Sequence, residues 1–137
     1  MNKVLFSSQS PHWATPGCLY ADLDKEFHFN YDPCPLENTG LDALESEWGS
    51  CTFCNPPYGH KMGRWLAKGY AESKKGKLVV FLISSRTDTA WWHDYCMKAT
   101  EIRYIRGRLK FGGAKYNAPF PSAIVIFGQI ENRKVKE

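Results

Sequence analysis

Four consecutive residues, Asn55, Pro56, Pro57 and Tyr58, carry the most specific chemistry in this chain of 137 residues. Two adjacent prolines fix two φ angles at about −65° and restrict the residue before each of them. Asn55 is thereby held extended, with its side chain and the carbonyls beyond it at set angles. Prolines have no N–H, so no helix amide is there to consume those acceptors. A rigid amide oxygen, a rigid backbone carbonyl and the Tyr58 ring suit a planar ring bearing an NH2 group. The two acceptors take the two N–H hydrogens, and the ring stacks on the tyrosine. The plainer alternative is a proline turn leading into a helix over residues 61–74. The full pattern, an Asn, Asp or Ser followed by Pro-Pro and then Tyr or Phe, is rarer than a bare Pro-Pro.

The elements around this motif place it at a strand end. "CTFCN" reads as a short strand running into Asn55. "KMGRWLAKGYAESKK" sets Met62, Trp65, Leu66, Gly69 and Tyr70 near helical spacing and predicts an amphipathic helix. "KLVVFLISS" is a continuous apolar run of the kind found in a central parallel strand buried on both faces. Upstream, "TPGCLYADLDKEF" opens on a Thr-Pro start signal and has helical apolar spacing. "FHFNYD" alternates aromatic and polar residues and predicts a strand ending at Asp32. "TGLDALESEW" predicts a short helix or helical turn. "DTAWWHDYCMKA" offers Asp88 as an N-cap for a further helix. "EIRYI" and "SAIVIFG" are the last strands, joined by the long, non-helical "RGRLKFGGAKYNAPFPS". Strands alternating with helices imply an α/β fold with a mostly parallel sheet. The final two strands are expected to form an antiparallel pair. In an open sheet of this kind ligands bind outside the carboxyl ends of the strands, which is where Asn55 falls. Ser84, Ser85 and Arg86 close the central strand at the same end.

Composition bounds the class. A chain of 137 residues, 43% hydrophobic and 15% aromatic, fits one domain with a real core. The ends, residues 1–12 and 130–137, are expected to be flexible. No apolar run reaches a membrane span, and "MNKVLFSSQSPHW" lacks the features of a signal peptide, so a soluble, cytoplasmic protein without a membrane partner is expected. The odd count of cysteines, Cys18, Cys34, Cys51, Cys54 and Cys96, fits free thiols in a reducing compartment. Cys51 and Cys54 form a CxxC, but none of His12, His28, His60 and His93 supplies a second spaced pair, so no metal is expected. The CxxC also suits a strand in which cysteine is a small buried residue.

Charge is unevenly distributed. Residues 1–55 carry two basic against eight acidic groups, a balance of −6, while residues 56–115 carry thirteen against four, a balance of +9. The segment following "NPPY" is thus the electropositive one, and such a field favours a polyanion such as nucleic acid. "ESKKGK" alone reads as an ordinary solvated helix face. "RYIRGRLKFGGAK" interleaves Arg103, Arg106, Arg108, Lys110 and Lys115 with Tyr104 and Phe111, a pattern that suits a nucleic-acid surface. Arg108, Lys110 and Phe111 either clamp a nucleotide or merely begin a strand. Trp91 and Trp92 fit contact with nucleic acid or, given the spacing of Trp91 from Tyr95, helix packing.

"NPPY" after a short strand resembles the catalytic motif of S-adenosylmethionine-dependent amino-methyltransferases. The wider pattern is similar to the small phage-type DNA N6-adenine methyltransferases, often called Dam-like. It is carried by "WATPGCLYADLDKEF", "FNYDPCPLEN", "DALESEW", "FCNPPYG", the strand before "SSRTDTAWWHD", and "IRGRLKF" followed by "PSAIVIF", from about Trp13 to Phe127. The resemblance implies a compact, shortened Rossmann-like class I methyltransferase fold in a single domain. It implies methyl transfer from S-adenosyl-L-methionine to the exocyclic amine of an adenine flipped out of double-stranded DNA. Asn55, Pro56, Pro57 and Tyr58 are then catalytic, and Arg86, Arg106, Arg108, Lys110, Phe111 and Lys115 meet the nucleic acid. Asp32 and Pro33 of "YDPCP" match the acid that contacts the methionine part of the cofactor. Thr15 and Pro16 match the segment lying along it, Asp42 the acceptor for its adenine amine, and Glu37 a partner for its ribose hydroxyls. Asp42 decorating a helix and Asp32 serving as a turn residue are the plainer roles. The chain departs from larger methyltransferases in that "DPCPLENTG" replaces a glycine-rich loop, and only 22 residues separate Asp32 from Asn55. The same motif also serves methylation of an RNA base or a protein glutamine amide. A non-catalytic nucleic-acid-binding module is the alternative of a different class.

Overall fold

The computed structural model describes residues 14–34, 42–59 and 61–130. Helix α1 (Gly17–Phe27) begins after Pro16, whose φ of −58° is already helical and whose carbonyl accepts the first bond from the Tyr20 N–H at 3.0 Å. It ends at His28 in the left-handed region (φ 59°), where the His28 N–H reaches back to the Asp24 carbonyl and Asp24 Oδ1 accepts from the Phe29 N–H. The helix and its cap together shorten the strand expected over "FHFNYD". Phe27 belongs to the helix, His28 to its cap, and only Tyr31 makes a bridge, parallel to Thr52. Asn30 completes the seam with its side chain, accepting from the Cys51 N–H and donating to Ser50 Oγ. Asp42–Leu44 is a single 3-10 turn where a short helix or turn was expected.

Strand β1 (Cys51–Cys54) is wholly buried and leads to helix α2 (Met62–Ser73), which returns the chain to strand β2 (Leu78–Ser84) parallel to β1. Met62, Trp65, Leu66 and Gly69 form the buried stripe of α2. Gly69 is required there because a Cβ would collide with the Phe81 ring. Helix α3 (Ala90–Asp94) is capped by Thr89, not Asp88: Thr89 Oγ1 accepts from the Trp92 N–H at 3.3 Å and donates to the Arg86 carbonyl at 2.8 Å. The helix starts one residue later than "DTAWW" suggests, and the cap shifts with it. Strands β3 (Glu101–Tyr104) and β4 (Ser122–Phe127) follow.

The sheet order is β1-β2-β4-β3, and β4 is antiparallel to both of its neighbours. The sheet is therefore mixed, not mostly parallel, although the expected antiparallel pairing of the last two strands is present. The physical reason is the position of β4. β1, β2 and β3 all point the same way, but the crossover from β2 to β3 leaves a gap, and the returning β4 fills it. Two apolar layers cover the sheet. Val79, Phe81 and Ile83 face α2 and α3, while Leu78, Val80 and Leu82 face α1 and the 105–121 connection. Cys51 and Cys54 fall in opposite layers, so the CxxC cannot close on one ion. Trp92 is buried and Trp91 packs against the α2 layer, in keeping with helix packing. Among the described residues no helix is long and apolar enough to cross a membrane. The expectation for the two ends lies outside the described residues except at Ile130, which is buried in the α1 layer.

Candidate active site

The carboxyl ends of β1 and β2, and of the Tyr31 bridge, lie together at one edge of the sheet, and the motif residues gather there. Asn55 immediately follows β1 and is 2% exposed. Its Nδ2 donates to Thr15 Oγ1 at 3.0 Å, across 40 positions of sequence. Pro56 is buried and Pro57 half-buried. Tyr58 turns its ring back over the sheet, with its hydroxyl donating to the Leu82 carbonyl of β2 at 3.3 Å. The ring meets Phe120 at 5.2 Å between centroids and Phe111 edge-on at 6.3 Å. Burial pushes the Tyr58 phenol well above its ordinary range, with the Cys54 thiol adding to the effect, so it remains a neutral donor.

Phe111 requires a correction. At 1% exposure it has no surface to offer a nucleic acid, and it packs against Tyr58 and Phe120 instead. Basic neighbours made this ring look external, but the connection folds down on Phe111, Ala118 and Phe120 and turns its cations outward. Arg106, Arg108, Lys110 and Lys115 are all exposed. Arg86 is exposed too, its guanidinium 5.9 Å over the Phe120 ring. Arg103 differs from the rest of the run. It makes a bidentate pair with Glu26 at 2.7 Å and a further bond to Glu101, which hold it protonated and consume its charge internally.

Asp32 lies exposed one residue past the Tyr31 bridge, on the same edge as Asn55. Its Oδ1 accepts from the Cys34 N–H at 2.9 Å, forming a turn that sets the carboxylate direction. Burial and then the Asp32 charge push the Cys34 thiol up to about 12, so it stays neutral beside the carboxylate. Pro33 is buried under this turn. Asp42 opens the 3-10 turn, with its side chain outside what is described, and Glu37 lies outside the described residues. A carboxylate at this strand end fits a cofactor bearing ammonium and sulfonium charges.

Several contributors were not read from the sequence. Phe120 and the Leu82 carbonyl orient Tyr58, and Gly112 donates its N–H to the Ala14 carbonyl at 2.8 Å, bridging the 105–121 connection to the strip that carries Thr15. "PFPS" was the available signal for Phe120, an aromatic side chain fixed between two prolines. Ser85 Oγ, at the end of β2, is buried with no hydrogen-bond partner among the described residues, while its N–H donates to the Pro121 carbonyl.

Neither the curated proteins nor the solved structures contain a match to this chain. Residues 4–132 match the sequence model of the family described as DNA N-6-adenine-methyltransferase (Dam). Enzymes of that family take their methyl group from S-adenosylmethionine. The match decides for adenine in DNA over an RNA base, a protein amide or a non-catalytic module. An amide on a double-proline hinge at the end of β1, next to a fixed tyrosine ring, agrees with that chemistry, and the chain belongs to the DNA N-6-adenine-methyltransferase (Dam) family, enzymes that methylate the N6 amine of adenine.

Proposed function

We propose that the adenine is flipped out of double-stranded DNA and held by Asn55, Pro56 and Tyr58. An adenine amine is a poor nucleophile because its lone pair is delocalised into the ring. The Asn55 side-chain oxygen and the Pro56 carbonyl accept its two N–H hydrogens, favouring a pyramidal nitrogen and an available lone pair. Pro57 keeps the hinge rigid, and Tyr58 stacks on the purine. Most of the acceleration comes from positioning and from acceptors aimed at the positive charge that develops on nitrogen. S-adenosylmethionine supplies the electrophilic methyl group. The Thr15–Pro16 strip, Asp32 and Pro33 hold it, together with Glu37 and Asp42. Arg86, Arg106, Arg108, Lys110 and Lys115 hold the DNA phosphates, with Phe111 supporting Tyr58 from behind. The sheet is a shortened class I methyltransferase sheet, with the Tyr31 bridge standing where a full strand would run. The enzyme acts in the cytoplasm, that of a bacterial host if it is phage-encoded.

The observation that carries this reading is the placement of Asn55 at the end of β1, its amide held by Thr15 and the Tyr58 ring following two prolines later. Asn55→Ala tests it. Methyl transfer to DNA is expected to fall at least 100-fold, of the order seen when one preorganised polar group is removed from an active site. Cofactor affinity by calorimetry is expected to change less than about twofold, since the amide serves the amine. A loss of only twofold in transfer would make the motif structural.

A further inference from the structure

The carboxamide of Asn55 has two different ends on one planar carbon, so the group that binds one end decides where the other points. Thr15 Oγ1 takes the Nδ2 end at 3.0 Å. Thr15 is itself fixed on both sides. The residue before it, Ala14, accepts the Gly112 N–H at 2.8 Å in an isolated antiparallel bridge, and the residue after it is Pro16, at the N-terminus of α1. The approach at the bridge is close, since a Cβ on Gly112 would stand 3.3 Å from that of Ala14. β-branching leaves the Thr15 side chain few rotamers, so its oxygen is a stiff anchor. Gly112 lies between Lys110 and Lys115, in the connection that carries the exposed cations.

We propose that Thr15 is a positioning residue: by accepting the Asn55 Nδ2–H it turns the carboxamide oxygen toward the substrate amine, and the Ala14–Gly112 bridge keeps it in place. The inference rests on Asn55 being the group that accepts from the amine. It gives Thr15 a task distinct from lying along the cofactor. The hydroxyl accepts in this arrangement, so valine, with the same shape and no oxygen, removes the anchor, and serine retains it.

The test compares wild type, Thr15→Val, Thr15→Ser and Asn55→Ala as full chains. Transfer to DNA is measured in single turnovers at saturating cofactor and DNA, cofactor affinity by calorimetry, and the side-chain NH2 of Asn55 by hydrogen exchange in 15N-labelled protein. Thr15→Val is expected to slow transfer about tenfold, the effect of misplacing one hydrogen-bonding group. Saturating cofactor removes any loss of cofactor affinity from the measured rate, Asn55 NH2 exchange should accelerate, and Thr15→Ser should recover most of both the rate and the protection. A Thr15→Val enzyme with the wild-type rate, or one slowed only through weaker cofactor binding, overturns the proposal. So does an unprotected Asn55 NH2 in the wild type, a measurement that needs no variant to fold. If Asn55→Ala keeps its activity, the reading of the site fails; if only Thr15→Val does, this inference alone fails.

Discussion

Tyr58 is tied to Leu82: its hydroxyl donates to the carbonyl of that β2 residue at 3.3 Å, while Phe120 and Phe111 set the tilt of its ring. A ring fixed by one hydrogen bond and by one tilted and one edge-on aromatic neighbour would lose little entropy on stacking with a base. The bond and the ring can be removed separately. Tyr58→Phe keeps the stack and drops the bond, so a stability loss of about 1 kcal/mol is expected with transfer reduced less than tenfold. Tyr58→Ala also removes the ring proposed to stack the base, a contact worth about 1–3 kcal/mol, and a further loss of about 10- to 100-fold in transfer should follow. Thermal melting and single-turnover rates separate the two. Equal transfer by both variants would mean that no base stacks on this ring.

The exposed cations of the 105–121 connection should dominate the salt dependence of DNA binding. Each phosphate contact contributes about 0.9 to the slope of log K against log salt on duplex DNA. Replacing Arg106, Arg108, Lys110 and Lys115 with alanine is expected to flatten that slope by about 0.9 for each residue that meets a phosphate. Arg103→Ala should leave it unchanged, because Glu26 and Glu101 already hold that guanidinium. Its expected effect is a lower melting temperature. Fluorescence titrations from low to moderate salt measure the slopes. A flat dependence in the wild type would remove the connection from the DNA interface.

Much of this fold was legible because hydrophobic runs report burial directly. "LVVFLIS" reads as a strand covered on both faces and is one, and the α2 stripe has the helical period. Two kinds of information were missing. Strand adjacency is a matter of packing, and no local pattern shows β4 slotting between β2 and β3. Local competition is equally hard to read. The aromatic alternation at 27–31 is real, yet the helix takes Phe27 and the cap takes His28 before a ladder can form. At the site, "NPPY" was visible because prolines constrain a backbone wherever they occur. The Thr15–Asn55 bond was not, since 40 positions separate its partners. Phe111 misled because a basic-aromatic run does not say which of its side chains points inward.

Glu72 sets an acid limit on stability at the opposite end of the sheet. This carboxylate is 1% exposed and accepts from Lys77, Lys68, Lys75 and the Trp48 N–H, joining the end of α2 to the segments that enter β1 and β2. Burial alone would raise its pKa, but these donors outweigh burial and hold it well below the usual carboxylate range. With the folded value depressed, the stabilisation is fully present above the unfolded pKa of about 4.3 and is lost as pH falls below it. The melting temperature attributable to this group should therefore be flat from neutral pH to about 5.5 and drop progressively below about 4.3. Glu72→Gln removes the charge that the three lysines share, and a loss of about 3 kcal/mol is expected at pH 7. Its melting temperature should fall less steeply in acid than that of the wild type, so the two curves converge at low pH. Methyl transfer well below the melting temperature should be unaffected, because Asn55 and Tyr58 lie at the other ends of these strands. Parallel curves with a constant gap would show that Glu72 acts through packing and not through its charge.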